Sequence, residues 1–242
     1  MQLEDILRKY HFDISLLNIP EYSHEGEKRP IYLLRVAVDQ AFSQWEVLRS
    51  IIPETGYWPI IGWDRFKTLS INEETVQNIV DTGLRENVQR WFEKEWHNLG
   101  MSNGEETSDT EERSSSFTFL IHLGQFPFTP APFVPIALIP TTRCWEIPAY
   151  LPITLNKWDP PPAIHVAILK YWYEQWKAEL VAAVPGVMEL RVLYPPTTWQ
   201  ASLTLAREQY AYCPDIVDQG VRSINVLTRT LLSNHIWRFW WD

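Results

Sequence analysis

A six-residue segment at positions 210–215, Tyr-Ala-Tyr-Cys-Pro-Asp, holds the residue types most able to do chemistry in this chain. The thiol of Cys213 and the carboxylate of Asp215 could form a Cys-His-Asp set if folding brings His165 or His235 alongside. However, Cys213 falls at the C-terminal end of a predicted helix, where the helix dipole disfavours a thiolate. We therefore expect Cys213 to be a buried structural residue rather than a nucleophile.

The acids beside this cysteine could act as ligands or as caps. Asp215 and Asp218, with Gln219, could offer oxygens to a cation, but hard cations need more oxygen ligands than this. We favour the alternative that Asp215 caps the next helix or binds backbone amides. The polar and aromatic residues of the region remain candidates for a binding site: Arg207, Tyr210, Tyr212, Cys213, Asp215, Asp218, Gln219, Trp240 and Asp242.

The sequence predicts neither a metal nor a cofactor. The six histidines are scattered, and no two have the spacing of a zinc site. Phosphate-binding glycine loops and dinucleotide fingerprints are missing from a chain with only nine glycines. Arginines 191, 207 and 238 are expected to pair with internal carboxylates such as Glu189 or Asp242, or alternatively to face an anionic ligand.

The aromatic segment that follows these candidates predicts a buried strand at 235–241. Alternation puts Trp237, Phe239 and Trp241 on one face of that strand. Ile236, Arg238 and Trp240 fall on the other face. Since both faces carry large side chains, we expect both to be covered.

The elements that position these residues follow from periodicity and caps. In the N-terminal half we predict a strand at 31–38, a helix from a cap at Asp39 to Ile52 and a strand at 57–62. Ser70 and Glu73 form a capping box for a helix to about Thr82. Gly83 should separate that helix from an amphipathic one carrying Leu84, Val88, Trp91 and Trp96.

The C-terminal half predicts the order β-α-β-β-α-α-β. A strand at 135–140 precedes a helix capped by Asp159. A hairpin turns at Pro185-Gly186, and Thr198 starts the helix that ends at Cys213. The predicted fold is α+β with a mixed, mostly antiparallel sheet, a ferredoxin-like C-terminal half and an N-terminal β-α-β unit.

Charge and composition suggest how the chain is divided. Residues 100–116 are polar and carry five acids against one arginine, so this segment supplies −4 of the net charge of −9 and leaves −5 for the rest. We predict an N-terminal region at 1–99, an acidic surface loop at 100–116 and a C-terminal domain at 117–242, although the two halves could form one domain. No cluster of lysine and arginine would hold a nucleic acid.

Compartment and membrane contact are predicted from what the sequence lacks. Only two cysteines occur, which fits a reducing cytoplasm and excludes a disulfide framework. The first ten residues lack the features of a signal peptide. The longest apolar stretches are short and broken by proline, so we expect no membrane contact.

Residues 205–220, LAREQYAYCPDIVDQG, together with FWWD at 239–242, resemble the signature of the bacterial family called domain of unknown function 4253. Weaker similarities are Leu48-Arg49, the TGYWP segment at 55–59, and the stretch from Leu190-Arg191 to Pro195-Pro196. The resemblance implies an uncharacterised bacterial protein, and it brings no activity with it.

Two functions are compatible with this sequence. The first is a non-enzymatic protein-binding module, similar to immunity or adaptor proteins, whose aromatic and acidic surface captures a basic partner. The alternative is an enzyme or small-molecule binder with a pocket around Cys213, Asp215 and the C-terminal aromatic residues. The first predicts an exposed apolar patch away from a closed Cys213, and the second predicts a pocket that reaches it.

Overall fold

The computed structural model describes residues 2–18, 30–62, 73–101, 132–154 and 159–242. Its sheet has seven strands in the order β1-β2-β4-β3-β5-β6-β7. Every neighbouring pair is antiparallel except β3 and β5, which are parallel. The strands are β1 Leu17–Asn18, β2 Tyr32–Ala37, β3 Trp58–Ile61, β4 Phe133–Ile139, β5 Ala178–Val184, β6 Val187–Val192 and β7 Ile236–Trp240. The predicted α+β class with a mostly antiparallel sheet is confirmed.

Helices make up the rest of the regular structure. The described α-helices are α1 Leu3–Lys9, α2 Ala41–Ser50, α3 Ile52–Thr55, α4 Glu73–Arg85, α5 Val88–Asn98, α6 Ile147–Tyr150, α7 Pro162–Trp176, α8 Trp199–Tyr212 and α9 Ile224–Leu231. Short 3₁₀ segments lie at Ile14–Leu16, Val38–Gln40 and Cys144–Glu146, and a π-helical segment lies at Ile216–Val221. Within the described ranges, no helix is long and apolar enough to cross a membrane.

Both halves of the chain contribute to one sheet. Strand β3, from the N-terminal half, lies between β4 and β5. The indole N–H of Trp58 on β3 donates to the carbonyl of Leu180 on β5 at 2.9 Å. A buried carboxylate adds a second link, because Glu179 on β5 pairs with Arg49 of α2 and, at 2.7 Å, with Arg191 of β6. The halves are therefore interleaved rather than side by side.

The C-terminal half has the predicted element order but not the ferredoxin-like strand order. A split β-α-β unit would place β4 and β5 parallel, with a strand of the same unit between them. Here β4 is antiparallel to β3 and β3 is parallel to β5, so β4 and β5 run in opposite directions. The inserted strand β3 comes from outside the unit, which leaves β6 to pair with β5 and β7.

Two predicted helix boundaries in the N-terminal half are wrong. Asp39 lies inside the 3₁₀ segment that precedes α2, and the N-cap residue of α2, Gln40, makes no side-chain cap. Gly83 does not end a helix, since α4 continues through it to Arg85. Ser70 and most of the predicted acidic loop lie outside the described residues.

In the C-terminal half, the predicted hairpin and one of the two predicted caps are confirmed. Gly186 has a φ of 76°, a backbone angle that glycine adopts without strain, and it joins β5 to β6. The Thr198 hydroxyl accepts a hydrogen bond from the Ala201 N–H and caps α8. Asp159, however, does not cap α7, because Pro161 occupies the N-cap position.

Candidate protein-binding site

The predicted thiol site is closed. Helix α8 ends at Cys213, whose side chain is fully buried and whose Sγ–H donates to the Trp240 carbonyl at 2.8 Å. Burial raises the pKa of this thiol well above its usual range. A protonated, inaccessible sulfur cannot attack a substrate, so the cysteine joins α8 to β7 as a structural contact.

Asp215 ties the turn after α8 to the residue after β7. Its carboxylate accepts the backbone N–H of Asp242 and the side-chain amide of Gln219, both at 3.1 Å. Asp215 therefore binds a backbone amide, which was one of the two predicted alternatives to cation binding, and its side chain does not cap the segment that follows. Among the described residues, no group of three or more His, Cys, Asp or Glu side chains could hold a metal ion.

The π-helical segment that follows packs closely on β7. A Cβ added to Gly220 would lie 2.8 Å from the Trp240 ring, so only glycine fits without movement. The Tyr210 hydroxyl donates to Asp218 at 3.1 Å, and burial raises the pKa of that hydroxyl to about 12. These contacts hold the segment against α8 and β7.

The charged groups around this region are also engaged. The Arg207 guanidinium lies 5.7 Å from the centre of the Trp96 ring, which in turn packs edge-on against Tyr210 at 6.1 Å. Arg238 pairs with the buried Glu189 at 3.8 Å, as predicted for an internal ion pair. Arg207, Tyr210, Cys213, Asp215 and Trp240 are therefore buried or half-buried and engaged in these contacts, and Tyr212 faces the interior. The remaining candidates, Asp218, Gln219 and Asp242, are exposed.

Tyr212 lies in an aromatic core between α7 and β7. Its hydroxyl hydrogen-bonds Nδ1 of His165, and the rings of Trp172, Phe239 and Trp241 lie 5.2 to 5.3 Å away. Burial lowers the pKa of His165 to about 3, so the imidazole is neutral. Its Nε2 has no hydrogen-bond partner among the described residues. We conclude that this histidine belongs to the core and not to a catalytic set with Cys213.

An open groove lies on the other side of the molecule, beside β2. Its volume is about 370 Å³, within the range of ligand pockets. One wall is formed by Gln40, the N-cap residue of α2, and by Gln44 and Val47 of that helix. The opposite wall is the segment from Tyr10 to Asp13 with Leu16, and Phe133 of β4 also lines it.

This groove collects exposed apolar side chains. Leu16, Val47 and Phe133 are 42%, 39% and 44% exposed. They are three of the eight large hydrophobic side chains that are exposed in the described part of the chain. Singly exposed hydrophobic residues are ordinary, but three that line one depression make the groove a candidate binding surface.

A second apolar surface is formed by Leu193, Tyr194, Trp199 and Leu232. The end of α9 meets the segment before α8 there, because the Ser233 N–H donates to the Pro196 carbonyl at 2.9 Å.

The sequence did contain two signals for the groove. Arg35 interrupts the apolar stretch at 31–38, and a charged residue within a strand is typical of a sheet edge. Val47 gave a weaker signal, since it lies off the apolar stripe of α2. Neither residue is a nucleophile, a carboxylate or a metal ligand, so neither is among the candidates predicted from the sequence.

Part of the chain matches a known family. Residues 135–242 match the family model described as Domain of unknown function (DUF4253). This part of the chain belongs to that family. The predicted membership is confirmed, and the DUF4253 segment contains Cys213, Asp215 and the second apolar surface. The residues that line the groove lie before this segment. No curated protein and no solved structure matches the chain.

Proposed function

We propose that this protein is a non-enzymatic protein-binding module and that the groove beside β2 is its binding surface. The observation that carries the proposal is the apolar lining of this groove, with Leu16, Val47 and Phe133 exposed together. Burying such side chains in a complex releases about 25 cal/mol for each Å² of apolar area removed from water. Polar groups at the rim, such as Gln40 and Asp13, would then set the orientation of the partner.

The turn from Cys213 to Asp215 in the family signature, the signature turn, has no accessible thiol, and this supports the same proposal. A catalytic pocket at Cys213 would need an accessible sulfur of lowered pKa, whereas this thiol is buried and its pKa is raised. A small-molecule pocket around Asp215 has less support, because both carboxylate oxygens of Asp215 already accept hydrogen bonds. The net charge of −9 favours encounter with a partner of overall positive charge in a reducing cytoplasm.

Site-specific photocrosslinking in the native host tests this proposal. A short diazirine amino acid replaces Val47 in the groove, and in separate variants it replaces Leu84 and Tyr194. Leu84 is the matched control, since it is a similarly exposed apolar residue at 46%, on α4. Tyr194 reports on the second apolar surface.

The proposal predicts one covalent adduct of defined mass at position 47 and none at position 84. Equal adducts at both positions, or no adduct at 47, would contradict it. An adduct at position 194 alone would also contradict the groove as the binding surface.

A further inference from the structure

The groove follows the edge of β2, not one of its faces. Four consecutive residues, Leu34 to Ala37, line it. Successive side chains of a strand point to opposite faces of the sheet, so a depression that touches four in a row must run along the strand edge. The floor of the groove is therefore backbone as well as side chain.

Within the described residues, this edge has no strand partner along half of its length. Strand β1 pairs only with Leu33 and Leu34, so no described strand pairs with β2 on that side from Arg35 to Ala37. Leu16 would be the next ladder partner, opposite Arg35. Instead it enters a 3₁₀ turn and donates its N–H to the Asp13 carbonyl at 3.1 Å.

The register shows which backbone groups face the groove. Pro135 of β4 lies opposite Arg35, and its carbonyl accepts the Gly62 N–H on the β3 side at 2.9 Å. The backbone of Pro135 therefore points away from β2, and Arg35 is not hydrogen-bonded to β4. Because antiparallel ladders alternate, the backbone groups of Arg35 and Ala37 point to the open edge. Val38 fits the alternation, since its N–H donates to Pro132 on the β4 side.

The groove also presents the positive charge of Arg35. Arg35 is exposed and its guanidinium lies 4.6 Å from the centre of the Phe133 ring. Among the described residues it forms no ion pair. Asp13, the acid on the opposite wall, is already bound by the N–H and hydroxyl of Ser15. A ligand carboxylate would complement Arg35.

We propose that the groove binds an extended peptide segment that pairs with the edge of β2 and places an acidic side chain against Arg35. This rests on the proposed function and specifies the kind of segment that the partner presents. Backbone pairing at Arg35 and Ala37 supplies hydrogen bonds, and apolar side chains of the segment contact Leu16, Val47 and Phe133. A single acidic side chain in the bound segment is compatible with a partner whose net charge is positive.

Ala37→Pro tests the backbone pairing. Ala37 has φ −65° and ψ 138°, which are angles that proline adopts without strain. Its N–H points to the groove and not into the β2–β4 ladder, so proline removes a donor that the fold does not use. The variant should keep the wild-type melting temperature or exceed it slightly. Its ring would occupy the position of an incoming strand.

Arg35→Gln tests the charge, with Arg207→Gln as its matched control. Both replace a guanidinium that lies on an aromatic ring, and both change the net charge equally. The probe is a displayed library of random seven-residue peptides selected on the wild-type protein. Enriched peptides should carry an acidic residue among β-branched or aromatic ones, and they should bind Ala37→Pro at least tenfold more weakly.

The same peptides should bind Arg35→Gln about tenfold more weakly and Arg207→Gln as well as wild type. N-methylation of a peptide backbone amide beside the acid should weaken binding similarly. Enrichment of peptides without an acid, equal binding to a folded Ala37→Pro variant, or no enrichment would overturn the inference. So would a homodimer joined through the same edge. The position-47 adduct separates the two claims: if it persists in Ala37→Pro, the groove binds a protein but not by strand pairing.

Discussion

Buried His165 should make the protein lose stability in mild acid. Its pKa is lowered from the usual 6.5 to about 3 because the ring is desolvated in the aromatic core. In the unfolded chain the imidazole regains a pKa near 6.5. Below that pH the unfolded state binds more protons than the folded state, so stability is full above pH 6.5 and falls as the pH drops towards 3.

The magnitude follows from the shift. One pKa unit corresponds to about 1.36 kcal/mol, and pH 5.0 lies roughly 1.5 units below the unfolded value. The free energy of unfolding should therefore fall by about 2 kcal/mol between pH 7.5 and 5.0 through this residue alone. Other groups titrate in the same interval, so the diagnostic quantity is a difference between variants.

Urea unfolding at pH 7.5 and 5.0 measures that difference. His165→Asn keeps a polar group for the Tyr212 hydroxyl but cannot titrate, so its loss between the two pH values should be about 2 kcal/mol smaller than that of wild type. His97→Gln, at an exposed position on α5, should behave like wild type. Equal losses in wild type and His165→Asn would refute the buried, neutral state of His165.

Three further predictions concern the packing of the fold. Glu179→Ala should lower the free energy of unfolding in urea by about 3 kcal/mol, because it leaves Arg49 and Arg191 without their buried partner. Glu174→Ala, in an exposed pair, should lower it by less than about 1 kcal/mol. Equal losses in the two variants would contradict this. The two cysteine thiols are buried and should not react with Ellman's reagent at pH 8 until the protein is unfolded, so rapid native reaction would be contrary evidence. Gly83→Ala should lower the melting temperature, because the alanine Cβ would lie 2.5 Å from a backbone carbonyl of α7. In a helix without this obstruction, the same substitution would raise stability.

Local signals in the sequence predicted local structure well. The Thr198 cap and the Pro185-Gly186 turn were predicted correctly because each depends on a few neighbouring residues. The burial of Cys213 was predicted from its position at a helix C-terminus. The prediction that Gly83 ends a helix was wrong because this glycine is required by close packing against Ala163 and Val166, which are distant in sequence.

Strand order could not be predicted in the same way. The apolar pattern of 57–62 identifies a strand, but nothing in the pattern says that it inserts between β4 and β5. That placement depends on contacts such as Trp58 with Leu180, which are 122 residues apart. The groove was missed for a related reason, since Leu16, Val47 and Phe133 meet only after the sheet has formed.

We propose that the groove beside β2, and not the signature turn, contacts a partner. The most direct measurement places the same diazirine amino acid at Val47 in one variant and at Gln219 in another. Gln219 is exposed beside the signature turn, so a partner at that turn would be labelled from it. We predict a specific protein adduct from position 47 and none from position 219. An adduct from position 219 without one from position 47 would show that the partner binds at the signature turn and not in the groove.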